Sequence, residues 1–271
     1  MAADQRQGSF FQFNGANIFY QVAGQGAPLI LIHGYPLSGD MFKGQLSGLS
    51  STFQVITLDL PGFGKSTAPD ANGSIAGYAQ YVLALMDQLN IQRAIIGGHS
   101  MGGQITLEIY HEAPQRVSGL LLIDTNPMAA SIVEQAEFPA FGLQASKLGV
   151  PSIVPALAPQ MITGAALKRN DQLSSTIMNI LAEGSVNGAI AGGQALATRP
   201  DYTSLLASIA VPTLVVVGVD DPVYPVSISQ QTASEIPNAQ LAIIPAAAHA
   251  SNLERPQLVN QAIESSGLAG Q

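Results

Sequence analysis

Gly97-Gly98-His99-Ser100-Met101-Gly102-Gly103 sets one serine among four glycines, directly after the apolar run Ala94-Ile95-Ile96. A serine hydroxyl attacks a carbonyl only when a base takes its proton, so this chemistry needs a histidine from elsewhere in the chain. Of the four histidines, His33 precedes Gly34 at the end of an apolar run, His99 adjoins the serine, and His111 ends a helix-like stretch. His249 stands in the loop from Pro245 to Asn252, after the last apolar run, and is best placed to swing toward Ser100. An imidazole base needs a carboxylate to fix its tautomer and stabilise the imidazolium. Asp220 and Asp221 follow the run Leu214 to Val217, and Asp124, in reserve, follows Leu120 to Ile123.

Positioning these groups requires strands and helices in alternation. Asn14-Gly15 between Phe10–Phe13 and Ala16–Val22 predicts a tight type I′ hairpin, because this pair tolerates positive φ. Continuous apolar runs follow at 29–32, 55–58, 94–96, 120–123, 214–217 and 241–244, the pattern of strands buried on both faces. Helix-like stretches lie between them at 78–89, 102–111, 226–236 and 257–263. The order predicts an α/β fold with a mostly parallel eight-stranded sheet flanked by helices and opened by an antiparallel hairpin. From Pro127 to Arg199 the pattern is helical, with Pro139, Pro151, Pro155 and Pro159 expected to break it. This is too long for an ordinary crossover, so the chain divides into a core of 1–126 and 200–271 and a helical cap of 127–199, inserted after the sixth strand.

Gly98 to Gly102 fits G-x-S-x-G in the strand-to-helix context where that pattern makes a sharp turn. The turn lifts the Ser100 hydroxyl above the sheet edge and leaves the Met101 N–H at a helix N-terminus, free to donate to a developing oxyanion. Composition removes competing functions. Eighteen Asp and Glu against ten Lys and Arg give a formal charge of −8, which argues against nucleic acid as a partner. Apolar stretches are interrupted before they could span a bilayer, and the N-terminus has no basic segment leading into an apolar one, so a cytoplasmic protein is expected. There is no cysteine, hence no disulfide or thiolate chemistry. Gly62-Phe63-Gly64-Lys65-Ser66 lacks the first glycine of a phosphate loop, since Asp59 occupies its place; Gln115 interrupts H-E-x-x-H after His111-Glu112; no G-x-G-x-x-G opens a strand-helix unit. No cofactor or metal is expected.

Four motifs together resemble the α/β-hydrolase superfamily: His33-Gly34-Tyr35-Pro36, Asp59 to Ser66, the Ser100 turn, and His249 followed by Glu254-Arg255-Pro256. The resemblance runs over nearly the whole chain and implies the order Ser100, Asp221, His249 for a catalytic triad. It selects Asp221, three residues after Gly218 and four before Pro225, and implies Tyr35 N–H as the second oxyanion donor beside Met101. Arg199 to Tyr202, leading through Ile209 to Pro212, is similar to small bacterial carboxylesterases and enol-lactonase-like members. Haloalkane dehalogenases and epoxide hydrolases of this superfamily place an aspartate where this chain has Ser100.

The implied reaction is hydrolysis of a small or medium, largely apolar ester through an acyl-enzyme. Met128, Phe138, Phe141, Met161, Leu167 and Met178 of the insertion, with His33 and His99, are expected to line the substrate pocket. Few basic residues stand near the motifs, which weakens a strongly anionic substrate. A lactonase, a perhydrolase, a carbon-carbon hydrolase and a non-catalytic binding member of the fold are the alternatives. The carbon-carbon hydrolases rank lower because they carry Asn where this chain has His99.

Overall fold

The computed structural model describes residues 8–70, 73–169 and 171–270. Strands β1 (Ser9–Phe13) and β2 (Ala16–Ala23) form the hairpin, with φ of 45° at Asn14 and 77° at Gly15, as a type I′ turn requires. The remaining strands are β3 (Ala27–Ile32), β4 (Phe53–Leu58), β5 (Ala94–His99), β6 (Val117–Ile123), β7 (Thr213–Gly218) and β8 (Ala239–Ile244). They order as β1-β2-β4-β3-β5-β6-β7-β8, with β1 and β2 antiparallel to their neighbours and every later pairing parallel.

Alternation along each strand explains the continuous apolar runs. Ile30, Ile32, Ile56, Ile96, Leu120 and Leu122 join one core, while Leu29, Leu31, Val55, Ile95, Leu121 and Ile123 join the other. Helices α2 (Ile75–Gln88) and α3 (Met101–Glu112) cover the first face, and α1 (Lys43–Gly48) and α12 (Pro256–Ser265) the second. The short helices α9 (Thr203–Leu206) and α11 (Ser251–Glu254) and the longer α10 (Val226–Glu235) complete the core layers. β8 departs from the expected two-sided burial. It is the sheet edge, mostly half-buried, with Gln240 and Ile243 open to solvent and only Ile244 fully buried.

Between β6 and β7 the chain runs through α4 (Ile132–Leu148), α5 (Val154–Met161), α6 (Gly164–Arg169), α7 (Gln172–Ala182) and α8 (Val186–Ala197). α4 starts at a capping box in which the Ser131 hydroxyl accepts from Glu134 N–H and the Glu134 carboxylate accepts from Ser131 N–H. The expected break at Pro139 does not occur, because α4 packs against α8 and continues through the proline to Leu148. Pro159 likewise lies inside α5, whereas Pro151 and Pro155 sit in first turns, where the missing N–H costs nothing. Among the described residues no helix is long and apolar enough to cross a membrane.

Candidate active site

The parallel strands deliver their C-terminal ends to one edge, and Ser100, Asp221 and His249 meet there. Ser100 follows β5 directly at φ 52° and ψ −115°, a backbone that an L-residue adopts only under strain. Close packing enforces it. A Cβ at Gly98 would overlap the Gly102 carbonyl, and one at Gly102 would overlap the backbone carbonyl of Ile32 at the end of β3. Gly102→Ala is therefore expected to cost roughly 1–3 kcal/mol or more, as backbone meets the added methyl. Denaturant unfolding checks this, and an unchanged midpoint would show that the turn tolerates a Cβ.

His249 Nε2 lies 3.0 Å from Ser100 Oγ, and its Nδ1 lies 2.9 Å from Asp221 Oδ2. The other Asp221 oxygen accepts from Val223 N–H at 2.8 Å and Tyr224 N–H at 3.0 Å, which fixes the carboxylate plane. Tyr224 also sets its ring edge-on to the imidazole, with centroids 5.5 Å apart. Burial alone would push the His249 pKa down, but the Asp221 charge and hydrogen bond, aided by Asp124, raise it above the ordinary histidine value. Asp220, by contrast, is exposed.

Asp124, the reserve acid, is wholly buried at φ 45° and engaged elsewhere. One oxygen accepts from Gly218 N–H at 2.8 Å, and the other from Ser251 N–H at 3.0 Å and Ser251 Oγ at 2.6 Å. It thus fastens the end of β7, which leads to Asp221, to the loop that carries His249. Burial and the neighbouring Asp221 charge raise its pKa.

The N–H groups of Tyr35 and Met101 donate to no backbone or side-chain acceptor among the described residues. Met101 opens α3, where the first N–H groups have no intrahelical partner. Tyr35 is held by its hydroxyl, which donates to Ala189 O of α8 at 3.1 Å.

A cavity of about 600 Å³ opens over the serine. Ser100, His249, Tyr35, Met128, Phe138, Phe141 and Met161 are among its lining residues, so these expected pocket residues are gathered there. His33, His99, Leu167 and Met178 are not, and the expectation is corrected for each. The His33 ring is buried between backbone groups, Nε2 accepting from Leu60 N–H at 2.9 Å and Nδ1 donating to Gly34 O at 2.8 Å. His99 Nε2 donates to His249 O at 2.6 Å, and burial, then the charge of His249, lower its pKa well below the usual value. His99 is thus a neutral prop under the histidine loop. Leu167 packs into the second core, and Met178 is partly exposed on α7.

The helical segment between β6 and β7 grips the same loop. His249 N–H donates to Gln160 O at 3.3 Å and Ala250 N–H to Met161 O at 2.7 Å. Glu254 accepts from Ala248 N–H at 3.0 Å on one side and from Thr163 Oγ1 at 2.6 Å on the other. That bridge accounts for a glutamate five residues after His249, a role that sequence spacing did not disclose. Among the described residues, no group of three or more His, Asp and Glu is placed to hold a metal ion.

A model of the α/β-hydrolase fold family matches residues 27–153. The chain is also 30% identical over 224 residues to 3-oxoadipate enol-lactonase 2 of Acinetobacter baylyi, covering 83% of this chain and 82% of that protein. The chain belongs to the α/β-hydrolase fold family. Another relative by sequence is the dihydrolipoyllysine-residue acetyltransferase component of the acetoin cleaving system of Pseudomonas putida, 32% identical over 90% of this chain. The chain spans only 64% of that protein's length. Among solved structures, a thermophilic esterase from Thermogutta terrifontis with malate bound superposes with a TM-score of 0.91 at 28% identity, covering 96% of this chain and 97% of that one. Enol-lactonases and esterases are thus what this α/β hydrolase resembles.

Proposed function

We propose that this α/β hydrolase is a serine hydrolase that cleaves a carboxylic ester of a small or medium, largely apolar substrate through an acyl-enzyme. The observation that carries this reading is the row Asp221–His249–Ser100, joined by contacts of 2.9 and 3.0 Å and opening on the cavity. His249, its Nδ1–H held by Asp221, takes the Ser100 proton through Nε2 as Oγ attacks the ester carbonyl. The Tyr35 and Met101 N–H groups receive the oxyanion, each worth about 3 kcal/mol in the transition state. His249 then protonates the leaving alcohol, and in the second half it activates water to release the acid. Residues 127–199 act as the cap, whose Phe138, Phe141 and Met161 supply apolar wall, and residues 1–126 with 200–271 as the core.

Hydrolysis of p-nitrophenyl acetate, butyrate and octanoate tests the reading. Each buried methylene contributes about 0.8 kcal/mol, so kcat/KM is expected to rise about tenfold from acetate to butyrate. The octanoate rate then reports the length of the cavity. A fluorophosphonate should label Ser100; absence of both labelling and turnover would leave a binding protein on the same fold. The enol-lactonase relative favours a second reading, lactone hydrolysis with the same residues. It predicts faster acid release from a lactone than from the open-chain ester of equal size in a pH-stat.

A further inference from the structure

The wall of the cavity carries charge of one sign. Among the described residues, Glu134 and Glu137 line it and no lysine or arginine does. The cation beside that wall, Arg199, is already committed. Its Nε donates to Met128 O at 2.9 Å, Nη1 to Leu196 O at 3.3 Å and Nη2 to Glu134 Oε1 at 2.7 Å, with only 1% of its side chain exposed. The second Glu134 oxygen accepts from Ser131 N–H at 2.9 Å. Burial would raise the Glu134 pKa, but the Ser131 and Arg199 hydrogen bonds outweigh it and hold the carboxyl below its usual range, hence ionised. Glu137, one turn further along α4, is exposed and engages no hydrogen bond or ion pair among the described residues.

We infer that the site discriminates by charge: it rejects esters whose acyl part bears a carboxylate and takes neutral or cationic ones, with Glu137 setting part of the preference. This rests on the serine-hydrolase reading above. A carboxylate entering between Phe138, Phe141, Met161 and Tyr224 sheds hydration and meets no counter-charge. The free Glu137 charge then opposes it. An ammonium group meets the reverse, attraction by Glu137 and by the faces of the aromatic walls. His249, the one basic group among the described residues that line the cavity, must be neutral to act as base, so it offers an anion nothing in the resting enzyme.

Three matched esters test this: p-nitrophenyl hexanoate, mono-p-nitrophenyl adipate and p-nitrophenyl 6-(trimethylammonio)hexanoate, with spontaneous hydrolysis subtracted. Wild-type kcat/KM for the neutral ester is expected to exceed that for the anionic one by about tenfold or more, the gap shrinking with added salt. Glu137→Gln should narrow the ratio and Glu137→Lys narrow it further; both change an exposed side chain, and circular dichroism verifies their folding. Equal wild-type rates on all three esters would overturn the inference and leave the serine-hydrolase reading standing. A neutral preference untouched by either variant overturns the role of Glu137. No Ser100-dependent turnover of any ester would instead sink the parent reading, and the inference with it.

Discussion

Ser100→Ala is expected to lower kcat for p-nitrophenyl butyrate by at least about 10⁴-fold while KM changes little. The hydroxyl is the group that forms the covalent bond, and nothing beside it can substitute. His99 is buried under the His249 carbonyl, and among the described residues no other hydroxyl bonds to His249 Nε2. Removing one oxygen from a residue 8% exposed leaves the cavity walls intact, so ground-state binding persists. A residual rate above buffer is expected, because the Tyr35 and Met101 N–H groups still receive the oxyanion when water attacks. The variant should also gain stability, since alanine at this position no longer serves function; it keeps the strained φ of 52°, however, so the gain is small. Stopped assays at high enzyme concentration measure the residue of activity, and a loss smaller than tenfold would remove Ser100 from the nucleophile role.

The meeting of Ser100, Asp221 and His249 could be read from the chain because each stands just beyond an apolar run. A parallel sheet brings such positions to one edge whatever the helices between them do. The strands were legible for the same reason, since burial on both faces leaves no polar residue to blur them. β8 shows the limit: its sequence is as apolar as that of β7, and only its place at the sheet edge exposes it. Pro139 shows another, because a helix packed along one side can keep a proline that its isolated sequence would reject. The cavity wall was legible only in part. Helical spacing tells which residues share a face, as it does for Phe138 and Phe141, but not which face meets the cavity, so the expectation holds for those two and fails for Met178. Polar residues near the serine misled differently. His33 and His99 lie close in sequence to the reacting groups, yet both rings serve backbone carbonyls and amides. The chain alone leaves Asp220, Asp221 and Asp124 as candidate partners of the histidine, and the family resemblance points to Asp221, while the work of Asp124 and Glu254 emerges only from contacts between segments far apart in sequence.

Asp221→Asn is expected to cost about 10⁴-fold in kcat, the effect of holding a catalytic imidazole in the wrong tautomer. The cause is specific to this site. Asp221 Oδ1 accepts from two N–H groups, those of Val223 and Tyr224, so an asparagine must place its oxygen there. Its amide NH₂ then points at His249 Nδ1 and donates to it, which moves the imidazole proton to Nε2, facing Ser100. The base is lost although every atom is nearly in place. The pH profile adds a signed test. Wild-type activity needs neutral His249, whose pKa is raised, so the rate should climb with pH through a midpoint above the ordinary histidine value and then level off. In the variant the carboxylate that opposed the effect of burial is gone, and the residual rate should show its acid limb at lower pH. Asp124→Asn is the control. An amide at position 124 sets NH₂ against Ser251 N–H or Gly218 N–H, leaving a buried donor unmatched at a cost of about 1–3 kcal/mol in stability. With kcat counted per fluorophosphonate-labelled serine, Asp124→Asn should stay within about tenfold of wild type, far above Asp221→Asn. The opposite ranking would make Asp124 the histidine's acid and reduce Asp221 to a clamp on its own turn.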